Sequence, residues 1–179
     1  MEFAFSTAGL SNIRNVARPH MVRLSQELKE TINLLIMEGD GVRFIDSVEC
    51  DRPVRVTGRT GTLLPAHATA GGRVLLAAMN PEDTRSLLVG GLRRMTPATV
   101  TNRSAFYEDL EGIRRLGYAI NRGESLDGLH AAAVGIADNS DRIVASLAVS
   151  VPADRGGMTR LRKLIPLLRE VANDIGRQL

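Results

Sequence analysis

Gly117-Tyr118-Ala119-Ile120-Asn121-Arg122-Gly123-Glu124, followed by the run from Leu129 to Val151, reads as a strand, a loop and then a hairpin. Strict alternation puts Ala131, Ala133 and Gly135 on one side of the first hairpin strand, and Ser146, Ala148 and Ser150 on one side of the second. Asp138-Asn139-Ser140-Asp141 is the turn between them. A loop of two or four residues would pair Ala131 with Ala148 and Ala133 with Ser146, with all the small side chains on one face. A sheet face this shallow leaves room either for a closely packed helix or for a bound small molecule.

Outward from the hairpin, the flanking elements are legible in turn. Ser104–Leu116 is helical, with Phe106, Leu110 and Ile113 on one face, and Gly117 stands where a left-handed cap belongs. Asn80-Pro81-Glu82-Asp83 opens a short helix that Gly90-Gly91 ends: Asn caps, Pro fits the first turn, and the acids oppose the dipole. His67–Met79 reads as a helix, and Gly58–Pro65 before it as a loop. Thr31–Met37 and Val42–Glu49, joined by Gly39-Asp40-Gly41, form a second hairpin, with a shorter strand expected at Val54–Thr57. Val42–Glu49 is read as a strand with an uncovered edge. A helical pattern begins at Pro19 and carries Met21, Leu24 and Leu28, while residues 1–17 read as a linker or a terminal helix remnant ahead of a domain spanning 18–179. From about Thr159 to the end, Leu161, Leu164, Ile165, Leu168, Val171, Ala172 and Ile175 make one helical stripe, with a kink expected at Pro166. Hairpins dominate the strand connections, so the fold class is α+β with a mostly antiparallel sheet and helices packed on it.

Composition narrows the function classes. At 179 residues the chain can bury one good-sized core. Aromatic residues are 3% with no Trp, so the core is aliphatic and a base-stacking surface for single-stranded nucleic acid is disfavoured. The formal charge of +3 is too small an excess to imply nucleic-acid binding. Cys50 is the single cysteine, which excludes an internal disulfide and suits a reducing cytoplasm. No apolar run approaches the roughly 20 residues of a membrane span, and Met1–Ser11 has neither the basic nor the apolar region of a secretory signal.

Catalytic chemistry finds little support. His20, His67 and His130 are far apart and none stands in a metal-ligand spacing, so no metal and no cofactor is expected. Cys50 at a strand end reads as a small hydrophobe rather than a nucleophile. Thr69-Ala70-Gly71-Gly72-Arg73 lacks the Lys-Ser/Thr of a phosphate loop, yet its small residues allow a backbone or ligand to approach closely. Asn121 and Glu124 follow a strand and are placed either at the end of a pocket or in solvent.

Three segments, taken together and in order, resemble one family. They are Leu63-Leu64-Pro65-Ala66-His67-Ala68-Thr69-Ala70-Gly71-Gly72-Arg73, then Gly117-Tyr118-Ala119-Ile120 with Glu124, then Ala145-Ser146-Leu147-Ala148-Val149-Ser150-Val151. From about Val16 to the C-terminus the chain is similar to the effector-binding domain of IclR-type transcriptional regulators. The resemblance implies a GAF-like curved sheet flanked by helices, a ligand pocket on its concave side, and homodimers or homotetramers. It also implies a cytoplasmic, non-enzymatic regulator whose DNA contact is made by an N-terminal helix-turn-helix, expected to be missing here, so that the chain would be a fragment or a naturally short product carrying the sensing half. By position, the implied pocket is bordered by Val56, Leu64, Ala70, Gly71, Asn121, Leu129, Ala131, Ala148 and Ser150, with Thr69 and Glu124 as polar contributors. Asn121 stands where the family commonly has an acid, and Ala131 and Ala148 stand where it often has Cys or Ser. The implied effector is therefore a small organic acid of a larger or partly aromatic kind, its carboxylate received by the helix-start amides of Ala70 and Gly71. The alternative is a free-standing small-molecule-binding module acting through a protein partner.

Overall fold

The computed structural model describes residues 6–179; the first five residues of the 1–17 stretch lie outside it. In chain order the elements are α1 (Thr7–Leu28), β1 (Thr31–Glu38), β2 (Gly41–Val48), β3 (Leu63–Pro65), a 3-10 turn (Ala66–Ala68), α2 (Ala70–Ala78), α3 (Pro81–Leu87), α4 (Arg103–Leu116), β4 (Tyr118–Arg122), β5 (Leu129–Ala137), β6 (Ile143–Pro152) and α5 (Met158–Gly176). The strands form a single antiparallel sheet in the order β3-β2-β1-β6-β5-β4.

Period-two alternation sorts the residues of β5 and β6 by size. Ala132, Val134, Ile136, Leu147, Val149 and Val151 face one side and join Ile13, Met21 and Leu24 of α1 and Leu161, Ile165 and Leu168 of α5 in one apolar cluster. Ala131, Ala133 and Ala148 face the other side, in a second cluster with Leu75 and Leu76 of α2 and Phe106, Leu110 and Ile113 of α4. The long helices thus cover the face of large side chains, and the nine-residue α2 lies on the face of small ones.

The helix starts follow the expected capping chemistry. Asn80 and Asn102 accept backbone N–H bonds from Glu82 and Ala105, and Gly117 takes the left-handed C-cap at φ 74°. Several elements differ from expectation. α1 begins at Thr7, with Ser6 as its cap, rather than at Pro19, because Ile13 and Ala17 extend its buried stripe. Helix α2 begins at Ala70, not His67: Thr69 is extended (φ −118°, ψ 149°) and its Oγ1 accepts the Gly72 N–H at 2.9 Å, which forces a separate turn before it. No strand forms at Val54–Thr57; a short strand forms instead at Leu63–Pro65 within the stretch read as loop. β2 is interior to the sheet, paired with both β1 and β3, so β3 and β4 are the edges. α5 runs uninterrupted through Pro166.

The hairpin register also differs. Ala131 pairs with Ser150, Ala133 with Ala148 and Gly135 with Ser146. The connecting loop spans Asp138 to Arg142 and is closed by Asp138 N–H to Arg142 O, with Asp141 left-handed and the Asp138 carboxylate accepting the Ser140 and Arg142 amides. That loop moves the pairing by one residue, and a bulge between Ile136 and Ala137 moves it by a second. Two slips restore the parity, so the small residues keep a common face.

Candidate functional site

Beneath the first turn of α2 the small face borders a cavity of about 20 Å³, room for about one water. Its floor is Ala131, Ala148 and Ser150 of the hairpin with Leu35 of β1. Thr69, Ala70 and Gly71 form its roof, Asn121, Ser125 and Leu129 one wall, and Phe44 and Arg59 the other. Its shallowness comes from close packing further along the same face. A Cβ on Gly71 would stand 2.7 Å from Ser146 Oγ, so glycine there lets α2 settle onto the sheet, while one on Gly72 would collide with the Ala66 backbone, so glycine there lets the preceding turn pack against the helix start. Of the two readings of the small face, a packed helix accounts for the Gly71–Ser146 end and an open space for the Ala131–Ser150 end.

Polar groups converge on this space. The amides of Ala70 and Gly71 open a helix and have no carbonyl one turn back to receive them. Ser150 Oγ accepts Asn33 Nδ2 at 3.1 Å, which leaves its own proton free to donate; Asn33 Oδ1 in turn accepts Ser47 Oγ at 2.7 Å. Ser47 Oγ also accepts the backbone N–H of Arg59 at 3.0 Å, and Thr31 Oγ1 donates to Val56 O at 2.5 Å. This ladder across β6, β1 and β2 ties the irregular segment holding Val56 and Arg59 to the cavity floor. Ser146 Oγ, fully buried under Gly71, has no hydrogen-bond partner.

Eight of the eleven residues named from the sequence line the cavity: Thr69, Ala70, Gly71, Asn121, Leu129, Ala131, Ala148 and Ser150. Asn121 lies within β4 rather than in a loop, and is buried with both ends of its amide engaged: Nδ2 donates to Ala68 O at 2.7 Å and Oδ1 accepts the Glu124 N–H at 2.8 Å. Three residues lie elsewhere. Val56 lines a separate outer groove, and Leu64 pairs with Val42 and packs toward the α2-side core. Glu124 turns toward Arg73, 3.0 Å away, because that guanidinium is its nearest counter-charge. Burial raises the Glu124 carboxyl above its ordinary range, against the pull of Arg73. Arg73, nearly fully buried, also bonds Asp109 at 2.8 Å and Ile120 O at 2.5 Å, joining α2, α4 and β4 behind the cavity wall.

Sequence reasoning missed Leu35, Phe44, Arg59 and Ser125. Leu35 and Phe44 were legible as strand residues, but facing them to the site required the β1–β6 register. Arg59 carried no signal beyond a lone cation between two glycines.

Among the described residues no cluster of His, Cys, Asp and Glu is arranged to hold a metal ion. The three histidines are dispersed: His67 and His130 donate to Arg93 O and Gly156 O, and His20 lies by Arg23 and Gln178. Cys50 is buried away from the cavity. No described helix is long and apolar enough to cross a membrane.

A family profile described as bacterial transcriptional regulator IclR C-terminal matches residues 5–177. The HTH-type transcriptional repressor AllR of Escherichia coli K12 is 33% identical over 169 residues, covering 94% of this chain and 62% of the relative. The chain thus spans under two thirds of the length of the curated relatives it matches. The C-terminal domain of the E. coli regulator KdgR superposes with a TM-score of 0.83 at 28% identity, over 93% of this chain and 98% of the other. The inducer-binding domain of PobR from Acinetobacter, a double mutant in complex with 3-hydroxybenzoic acid, superposes with a TM-score of 0.86 at 27% identity, over 92% and 98% of the two chains. The chain therefore belongs to the IclR family of bacterial transcriptional regulators, as its C-terminal domain.

Proposed function

We propose that this domain senses a small organic acid in the space between the small-residue hairpin face and the start of α2. The observation that carries this reading is the convergence of unspent donors, the Ala70 and Gly71 amides and the Ser150 hydroxyl, on a space walled otherwise by Leu35, Phe44, Leu129, Ala131 and Ala148. An apolar wall with a few donors suits a carboxylate on an apolar body, and the 3-hydroxybenzoic acid of the PobR domain is a ligand of that class. The acid is held rather than transformed, since no pair of titratable groups converges on the space.

At about 20 Å³ the cavity is too small for an acid, so one binds only as the surrounding wall moves. In the complete cytoplasmic regulator, a homo-oligomer binding operator DNA through a helix-turn-helix outside this chain, the acid's unequal affinity for the open and closed forms is the source of the signal. A thermal-shift screen of carboxylic acids tests the reading, because a ligand of the native state raises its stability. Ala148→Leu locates the site. Its added bulk exceeds the small cavity, so the variant loses about 1–3 kcal/mol of stability and no longer responds to the acids that stabilise the parent. An undiminished response in a folded variant would move the site off the hairpin.

A further inference from the structure

Beside the small cavity lies a second space, an open groove of about 430 Å³. It runs along the irregular segment 54–59 and across Leu126–Leu129 to Pro152. Two residues, Arg59 and Leu129, line both spaces and so mark where they adjoin. The groove is apolar where it is most open: Val54 and Leu126 are 65% and 50% exposed, and Val56 and Pro152 continue the same surface.

Arg59 is unusual among the arginines near the site. Arg55 is paired with Glu49, and Arg73 with Asp109 and Glu124. The guanidinium of Arg59 has no carboxylate or carbonyl hydrogen-bond partner among the described residues; it lies over the Phe44 ring, 5.9 Å from ring centre to guanidinium carbon. Burial disfavours its charge, and no neighbouring acid offsets that. A half-buried cation without a counter-ion, where a donor-lined cavity adjoins an apolar groove, is poised for an anion. Asp127, exposed, also lines the groove and repels a second negative charge there.

We propose that cavity and groove are one elongated site selecting monocarboxylates with an extended apolar body, with Arg59 as the specificity-determining cation at their junction. This rests on the organic-acid reading above and sharpens it. The carboxylate sits at Arg59 within reach of the Ser150 hydroxyl and the α2 amides. The apolar body lies along Val54, Val56 and Leu126, and the Arg59 backbone stays anchored through Ser47 and Asn33 to Ser150. Small dicarboxylates are excluded twice, by leaving the apolar groove surface exposed to water and by meeting Asp127.

The test is titration calorimetry on the 179-residue chain with 3-phenylpropanoate, its neutral amide and glutarate. The parent is expected to bind 3-phenylpropanoate and to discriminate against both other probes by about tenfold or more. Arg59→Gln is expected to lose that discrimination against the amide while staying close to the parent's thermal midpoint, since the guanidinium gives up only its contact with the Phe44 ring and no ion pair. Arg59→Lys is expected to restore part of it. If 3-phenylpropanoate binds the parent and Arg59→Gln equally, or glutarate binds the parent as well as 3-phenylpropanoate does, the role of Arg59 or the elongated site falls while the organic-acid reading stands. If a screen of carboxylic acids of all sizes leaves the parent unaffected, both fall. If Arg59→Gln unfolds, Arg59→Lys and the three-probe comparison on the parent decide alone: glutarate or the amide binding as tightly as 3-phenylpropanoate overturns the proposal, and discrimination against both supports it.

Discussion

His67 illustrates how a residue read as one of three scattered histidines acquires a specific physical role. It stands in the turn ahead of α2, 4% exposed, with Nε2 donating to Arg93 O at 2.8 Å and its ring edge-on to Phe106. Burial holds its imidazole below the ordinary range, outweighing the hydrogen bond to Arg93 and the charge of Asp40; Arg93 and Arg73 push the same way as burial. The folded state therefore prefers the neutral ring. Stability from this source is complete above the ordinary imidazole value and is lost as pH falls from there through the folded value. Denaturant unfolding between about pH 7.5 and about pH 5.5 should show a steeper loss in the parent than in His67→Gln, which keeps a donor for Arg93 O. Parallel slopes would show that another group carries the acid sensitivity. The position of His67 was plain in the sequence; its neutrality was not, because that depends on Phe106 and Arg93, both distant in the chain.

Between elements, Arg73 is the fastening that holds α2 over the site. Its guanidinium reaches α4 through Asp109, β4 through Ile120 O, and the following loop through Glu124. That loop is fixed in turn by Thr96 and Thr99, which donate to Gly123 O and Glu124 O at 2.6 and 2.7 Å. Arg73→Met leaves Glu124 buried without its counter-charge and should cost about 3–5 kcal/mol. Arg73→Met combined with Glu124→Gln should recover part of that loss, measured by denaturant unfolding. A single-variant cost below about 1 kcal/mol, the range of exposed ion pairs, would mean that α2 is held by packing alone. Strand, turn and cap signals made the elements themselves readable, Asn80, Asn102 and Gly117 among them. The fastening was not readable, since nothing local to Arg73 names Asp109 or Glu124 as its partners.

For the whole molecule, the large side chains of the sheet are covered by α1 and α5, while apolar residues elsewhere remain outside the fold: Val89 is 76% exposed, Leu116 55% and Leu63, on edge strand β3, 46%. Self-association through the helices or the sheet edges is the expected outcome, and sedimentation at tens of micromolar, about where stable dimers are fully formed, should give a species larger than the monomer. A clean monomer there would count against self-association through this domain.

By itself the sequence determined the α+β class, the antiparallel hairpins and the division of β5 and β6 into a small face and a large one, because each rests on periodicity within a dozen residues or on the capping and turn chemistry of single residues. It also placed Ala131, Ala148 and Ser150 on one face despite a wrong register, because the loop and the bulge each slip the pairing by one and parity survives two slips. Only the tertiary structure decided that Ala131 meets Ser150, that Asn121 is spent on Ala68 and Glu124, that Glu124 belongs to Arg73, and that Arg59 stands unpaired between cavity and groove. Those facts depend on which distant groups the packing brings within a few ångströms of one another, and charge pairing and burial are properties of that proximity rather than of any local pattern.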